Sequence, residues 1–234
     1  MKIAIMQPYV FPYVGYFQLI QAVDTFVFYD DVNFIKKGWI HRNNILINNT
    51  SYLFTIPCKE ISQNKLIKNI KLNFDIDERI KFLKRINLSY RKASNFCEFY
   101  PLLEEFIIND KSEYISQLAC NSIKFICDYL GLKKKFEFSS ICYSNSIGME
   151  KQERLINIAQ SLNANTYINA SGGISLYDKK CFFNEDLDLK FLFSSDIKYQ
   201  QYNSSFVPWL SIIDVVMFNS VKKTNELLNQ YILE

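Results

Sequence analysis

Histidine is almost absent from this chain. Among 234 residues there is one, His41, and no two of the six cysteines stand in a Cys-x-x-Cys spacing. One imidazole and scattered thiols do not make a zinc ligand set, so no metal site is expected. No run of about 18 apolar residues occurs, which leaves nothing to span a membrane. The opening MKIAIMQPYVFPY carries one Lys and a very short apolar run, so it does not read as a signal peptide. Reduced thiols in a cytoplasmic compartment are therefore expected. A dense Lys/Arg stripe is also missing. Net charge is only +3, and the longest basic run, Lys133 to Lys135, follows Gly131 at an expected helix end, where cations offset the helix dipole. Nucleic acid and membrane are not expected partners.

Hydrophobic and aromatic residues are plentiful. The 49% hydrophobic content is enough for a sizeable core, and the 20 Phe suit a packed interior. The 15 Tyr carry hydroxyls that need partners when buried, which suggests a lined cavity or interface as well. A single domain over 1–234 is expected, with an α/β core at 1–75, a mainly helical part at 76–165 and a mixed part at 166–234.

Lys2 to Met6 reads as a buried strand closed by Gln7-Pro8. Helical spacing begins at Gly15, and Thr25 to Tyr29 is a second strand ending at Asp30-Asp31. Strand, helix and strand over about thirty residues form a βαβ unit with a parallel pair. Its right-handed crossover brings the loops after Met6 and Tyr29 to one sheet edge, where α/β sheets bind ligands. Ile45 to Ile47 and Tyr52 to Ile56 flank an Asn-rich turn and predict a hairpin. Further strands are expected at Lys65 to Leu72, Phe136 to Ser140, Thr166 to Asn169 and Leu189 to Phe193. Helices are expected at Asp77 to Tyr90, Tyr100 to Ile108, Tyr114 to Leu130, Glu150 to Leu162, Leu210 to Phe218 and Asn225 to Tyr231. The fold class is α/β, with a partly parallel sheet and a helix-rich C-terminal half.

Four motifs stand in order: MQPYVFPYVGYF, YDDVNFIKKGWIHRNNI, YINASGGISLYD and FVPWLSIIDVVMFN. Together they resemble the WbqC-like family over nearly the whole chain. The resemblance implies a role in O-antigen or related surface-polysaccharide synthesis. The implied reaction is transfer of an acyl or aminoacyl group to the amine of a nucleotide-linked deoxyamino sugar. It also implies no tightly bound cofactor, with coenzyme A or an acyl-carrier-protein thioester as the candidate donor. The first strand with Tyr13-Val14-Gly15-Tyr16 further resembles the HxGH element of nucleotidyltransferases. Both histidine positions are Tyr here, and Tyr donates a hydrogen bond without carrying positive charge. Two other classes stay open: a non-catalytic sugar-nucleotide or acyl-carrier binding protein, and an adenylate-forming amide ligase.

Each motif has a functional and a structural reading. Gln7 can read a base or amide at the strand edge, or bond locally ahead of Pro8. Gly15 can let a ligand approach a helix start, or serve packing. Asp30 and Asp31 can hold a substrate ammonium or orient His41, or cap a turn. Lys36, Lys37, Trp39, His41, Arg42 and Asn43 form the densest polar cluster. Lys37 and Arg42 suit a pyrophosphate, Trp39 a stacked ring and Asn43 a polar contact. His41 is the candidate general base for the amine, with Asp31 beside it; the plain alternative packs it on Trp39. Asn169, Gly172, Gly173 and Tyr177 can expose N–H groups to an anion or oxyanion, or make an ordinary turn. Asp214 is expected to be buried, capping a neighbour or pairing with Arg42. Cys58 is the best-placed thiol, though packing is expected for all six. Gln7, Tyr13, Tyr16 and Arg42 are expected to line one cleft.

Overall fold

The computed structural model describes residues 1–202 and 205–234. The chain starts in the middle of its main sheet. Strand β1 (Lys2–Met6) leads into helix α1 (Val14–Ala22) and then β2 (Thr25–Phe28), which pairs with β1 in parallel from Ile3↔Thr25 to Met6↔Phe28. An antiparallel hairpin of β3 (Arg42–Ile47) and β4 (Thr50–Thr55) follows, outside the main sheet. Its turn residues Asn48 and Asn49 both have positive φ, 49° and 58°, which Asn tolerates better than most residues.

Helices α2 (Ile76–Tyr90), α3 (Phe96–Asn109) and α4 (Ile115–Leu130) come next. Asp75 caps α2 by accepting the Glu78 N–H, and α4 stops at Gly131, which takes the left-handed φ of 71°. The chain continues through β5 (Lys135–Phe138), a short α5 (Ser139–Cys142), α6 (Lys151–Ser161), β6 (Thr166–Ala170), α7 (Lys179–Phe183) and β7 (Asp188–Ser194). It ends with α8 (Ile212–Phe218), α9 (Val221–Leu228) and β8 (Tyr231–Leu233).

The main sheet has the order β5-β2-β1-β6-β7-β8, parallel except for β8. The chain winds from β1 out to β5, returns, and winds the other way from β6. Period-two alternation splits the strands between two cores. Ala4, Phe26, Phe28, Ile168 and Leu192 join the large core that includes Phe17 and Ile20 of α1, Ile123 of α4 and Leu228 of α9. Ile3, Ile5, Val27, Tyr167 and Phe191 face the smaller core with Leu155 and Ile158 of α6 and Phe182 of α7. Helices therefore cover both faces of the sheet, and ligands are left only its edges.

Three expected elements differ. Lys65 to Leu72 is not a strand but a single 3-10 turn at Ile67–Asn69 with isolated bridges such as Cys58↔Leu72, because no neighbouring strand runs alongside it. The strand at Phe136 ends at Phe138, since Ser139 and Ser140 turn their hydroxyls to Asp30. The last helix begins earlier, at Val221, where Ser220 accepts the Lys223 N–H; Tyr231 lies instead in β8 on the β7 edge. Among the described residues, no helix is long and apolar enough to cross a membrane.

Candidate functional site

Parallel strands deliver their last residues to one edge, and at the point where strand order reverses the two flanking loops leave in opposite directions. Here that point lies between β1 and β6. A hollow of 450 Å³ opens there, lined by Gln7 and Tyr9 after β1, Tyr29 after β2, Lys151 of α6, and Asn169, Gly172, Gly173 and Tyr177 at the exit of β6.

The frame of this hollow is held from behind. The Gln7 carbonyl accepts the Tyr16 hydroxyl at 2.9 Å, and the Tyr16 ring packs 5.7 Å from that of Tyr9. Asn169 locks the exit of β6: its amide donates to the Tyr167 hydroxyl at 2.9 Å and its oxygen accepts the Ala170 N–H at 2.7 Å. The glycine turn is a 3-10 helix, Ser171–Leu176. A Cβ on Gly173 would stand 3.2 Å from both Asn169 and the Tyr177 ring, a tight contact that those side chains would have to yield to. Gly172 faces open space. Burial raises the Tyr9 hydroxyl to about 12 and also raises Tyr29 and Tyr177. These phenols stay protonated near neutral pH and can donate hydrogen bonds.

Asp30 and Asp31, just past the end of β2, do not line the hollow. Both are buried. Asp30 accepts the Ser140 N–H at 3.1 Å and the Ser140 hydroxyl at 2.8 Å. Asp31 accepts Ser139 and pairs with the equally buried Arg154 of α6 at 2.6 Å. Arg154 also donates to Ser146 at 3.0 Å and lies 4.8 Å from the Tyr29 ring. The two carboxylates thus bolt β5, α5 and α6 to the end of β2.

Residues 7–226 match the WbqC-like protein family. The chain belongs to that family. It is also similar to an uncharacterized protein of Mycobacterium tuberculosis (strain ATCC 25618 / H37Rv), Rv1507c, with 27% identity over 222 residues, 93% of each chain. No solved structure gives a significant match.

In this WbqC-like chain the polar cluster at 36–43 does not line the hollow. Arg42 turns its guanidinium back on its own loop, donating to the Gly38 carbonyl at 2.8 Å and to the Lys37 carbonyl, and stands 5.8 Å from the Trp39 ring. Lys37 and Trp39 are exposed. Asn43 donates to the Phe11 carbonyl at 2.7 Å and accepts the Asn44 N–H. His41 is buried against Phe34, not Trp39, at 5.1 Å between ring centroids, and its Nδ1 has no hydrogen-bond partner among the described residues. Burial first, and Arg42 second, lower its pKa to about 4. The expected Asp31–His41 pairing is not formed, because Arg154 takes that carboxylate.

Nor does the expected four-residue cleft form as a unit. Gln7 lines the hollow, but Tyr16 is buried beneath it and Arg42 lies in the hairpin. Tyr13 faces a different hollow, and its ring lies over Gly15, where an added Cβ would come within 2.4 Å. Gly15 therefore makes room for Tyr13. Asp214 meets Tyr90, Tyr199 and Gln201 rather than Arg42. Cys58 donates weakly to the Ile56 carbonyl, and burial pushes its thiol up to about 12, so it is no activated nucleophile. Lys134 caps α1, not α4, through the Gln21 and Val23 carbonyls.

Tyr9, Tyr29, Lys151 and Arg154 were not singled out from the sequence. Arg154 left a signal: it sits in the buried stripe of α6 beside Leu155 and Ile158, a position where an unpaired charge cannot stay.

Proposed function

We propose that this WbqC-like protein binds a nucleotide-linked deoxyamino sugar in the β1/β6 hollow and transfers an acyl or aminoacyl group to its amine. One observation carries the reading: the hollow lies at the strand-order reversal and combines a cation, Lys151, with the glycine pair Gly172-Gly173 and three phenol donors. Lys151 suits a phosphate, and Gln7 and Asn169 suit the polar edges of a base or sugar. Protonated phenols and exposed N–H groups suit the oxyanion formed when an amine attacks an acyl carbon.

No lining group is a ready base. The phenols are raised, Asp30 and Asp31 are engaged, and His41 lies elsewhere with its proton affinity lowered. In this reading the amine arrives neutral from solvent, and the protein contributes position and oxyanion stabilisation. The same observation favours a second reading, a binding protein that presents the sugar nucleotide to a partner enzyme. Adenylation, the third reading, draws nothing from Tyr16, whose hydroxyl is bonded to Gln7.

The test uses a panel of nucleotide-linked amino sugars with acyl-coenzyme A and acyl-carrier-protein thioesters, read by mass spectrometry. Acylated sugar product supports transfer. Saturable binding without product supports the presenter. AMP release with ATP supports the ligase.

A further inference from the structure

A second hollow on the same sheet edge has no part in the acyl-transfer reading. It measures 370 Å³ and lies between the exit of β7 and the start of α1. Its walls are aromatic: Tyr13, Tyr199, Phe206 and Trp209. Trp209 is 71% exposed, with its ring centroid 6.0 Å from that of Tyr13. Tyr199 and Phe206 meet edge-on at 5.1 Å. Among the described residues no Lys or Arg lines it; its charged rim group is Asp196, next to Ser195.

Two features show that this wall is held in place. Trp209 has a φ of 62°, a left-handed backbone that a bulky side chain adopts only at a steric cost. Such strain persists where surrounding structure enforces it, and it concentrates at ligand sites. The neighbouring wall is held from underneath. Asp214, with no exposed surface, accepts the Tyr199 hydroxyl at 2.5 Å and the Gln201 amide at 2.9 Å. Gln201 in turn clamps Val207 through both its N–H, at 2.8 Å, and its carbonyl, at 3.1 Å. Tyr90 fills a further Asp214 lone pair at 2.8 Å while accepting the Leu46 N–H from β3. Val207, next to Phe206, and the Tyr199 ring are thus anchored to a buried carboxylate, beside an exposed Trp209 with a left-handed backbone.

We propose that this hollow is a nucleobase-binding site, with the base stacked on Trp209. A flat heterocycle matches an exposed indole face. Its N–H groups meet acceptors at Ser195 and Asp196. The described lining offers a phosphate no cation of its own, and the Lys198 nearby is paired with Asp196 at 2.8 Å. Asp214 is a positioning residue for the wall. The inference stands independently of the acyl-transfer reading.

Trp39→Phe leaves Trp209 as the sole tryptophan, since the chain has two. In that background adenosine, the nucleoside of a coenzyme A or ATP type of ligand, and thymidine and uridine, the nucleosides of sugar nucleotides, are titrated against indole fluorescence. Saturable quenching by any of them supports the site, and the preferred base names its source. AMP should bind no more tightly than adenosine. Trp209→Gly relieves the left-handed strain, so the melting temperature should hold or rise while calorimetric affinity falls about tenfold, the loss of one base–aromatic stack. Asp214→Asn should weaken binding with Trp209 still in place. Absence of quenching by all three nucleosides overturns the proposal. So does AMP binding far more tightly than adenosine, which would mark a phosphate site, or a Trp209→Gly protein that unfolds early, which would make the ring a packing element.

Discussion

Two polar regions of this WbqC-like protein differ in charge and in what their groups are free to do. The loop and strand at 36–43 are the richest in charge, yet Arg42, Asn43 and His41 are taken up by the chain itself, and of the charged residues only Lys36 and Lys37 stand exposed. Arg42 serves the Lys37 and Gly38 carbonyls, Asn43 serves Phe11, and His41 is packed against Phe34. The β1/β6 hollow has fewer charges, but Gly172 faces open space and Lys151 lines the opening without a salt-bridge partner among the described residues. A donor already bonded to backbone must break that bond to meet a ligand, whereas a solvated donor exchanges only a bond to water. Density of polar residues is therefore a poor guide to a site.

The largest effect expected from breaking the hollow is on its frame. Arg154→Ala leaves Asp31 buried and unpaired, and should cost about 3–5 kcal/mol in urea-induced unfolding. Replacing both partners with apolar residues should recover much of that. Equal losses from the single and double variants would show that the pair matters little.

The hairpin loop is tested by acid. His41 has a folded pKa of about 4 against an ordinary 6.5, and only 4% of its surface is exposed. Between these values the unfolded chain holds the extra proton, so stability should fall as pH drops from 6.5 towards 4 and level off below. The loss should approach about 3 kcal/mol. His41→Phe should flatten that segment of the stability profile; an unchanged slope would assign it to other groups.

A direct contrast comes from paired truncations. Lys151→Ala should weaken sugar-nucleotide binding by about 1–3 kcal/mol with little change in stability. Arg42→Ala should do the reverse, leaving the dissociation constant near its parent value while lowering stability by about 1 kcal/mol. Calorimetry and thermal melts on the same two proteins decide it, and a larger binding loss at Arg42 would return the site to the hairpin loop. The smallest effect concerns the hairpin turn: Asn49→Gly, at φ 58°, should raise stability by a few tenths of a kcal/mol without touching binding.

Local signals fared best where a single element was enough to set them. The βαβ unit, the Asn48-Asn49 turn and the Gly131 stop all rest on apolar period or backbone preference, and each formed near its expected bounds. Lys65 to Leu72 failed because an extended segment becomes a strand only if a partner runs beside it. The family match, too, is carried by sequence alone. Partner choice was decided elsewhere. Whether Asp31 faces His41 or Arg154, whether Arg42 faces a ligand or its own loop, and whether Tyr13 and Tyr16 share a cleft all depend on contacts between residues far apart in the chain. Asp31 and Arg154 are 123 positions apart, and Tyr90 and Asp214 are 124. Sequence determined which groups the protein owns and which elements carry them. Only the packed structure determined which of those groups remain unspent, because a buried donor or charge takes whichever partner the fold brings within about 3 Å, and what has no such partner is left for a ligand.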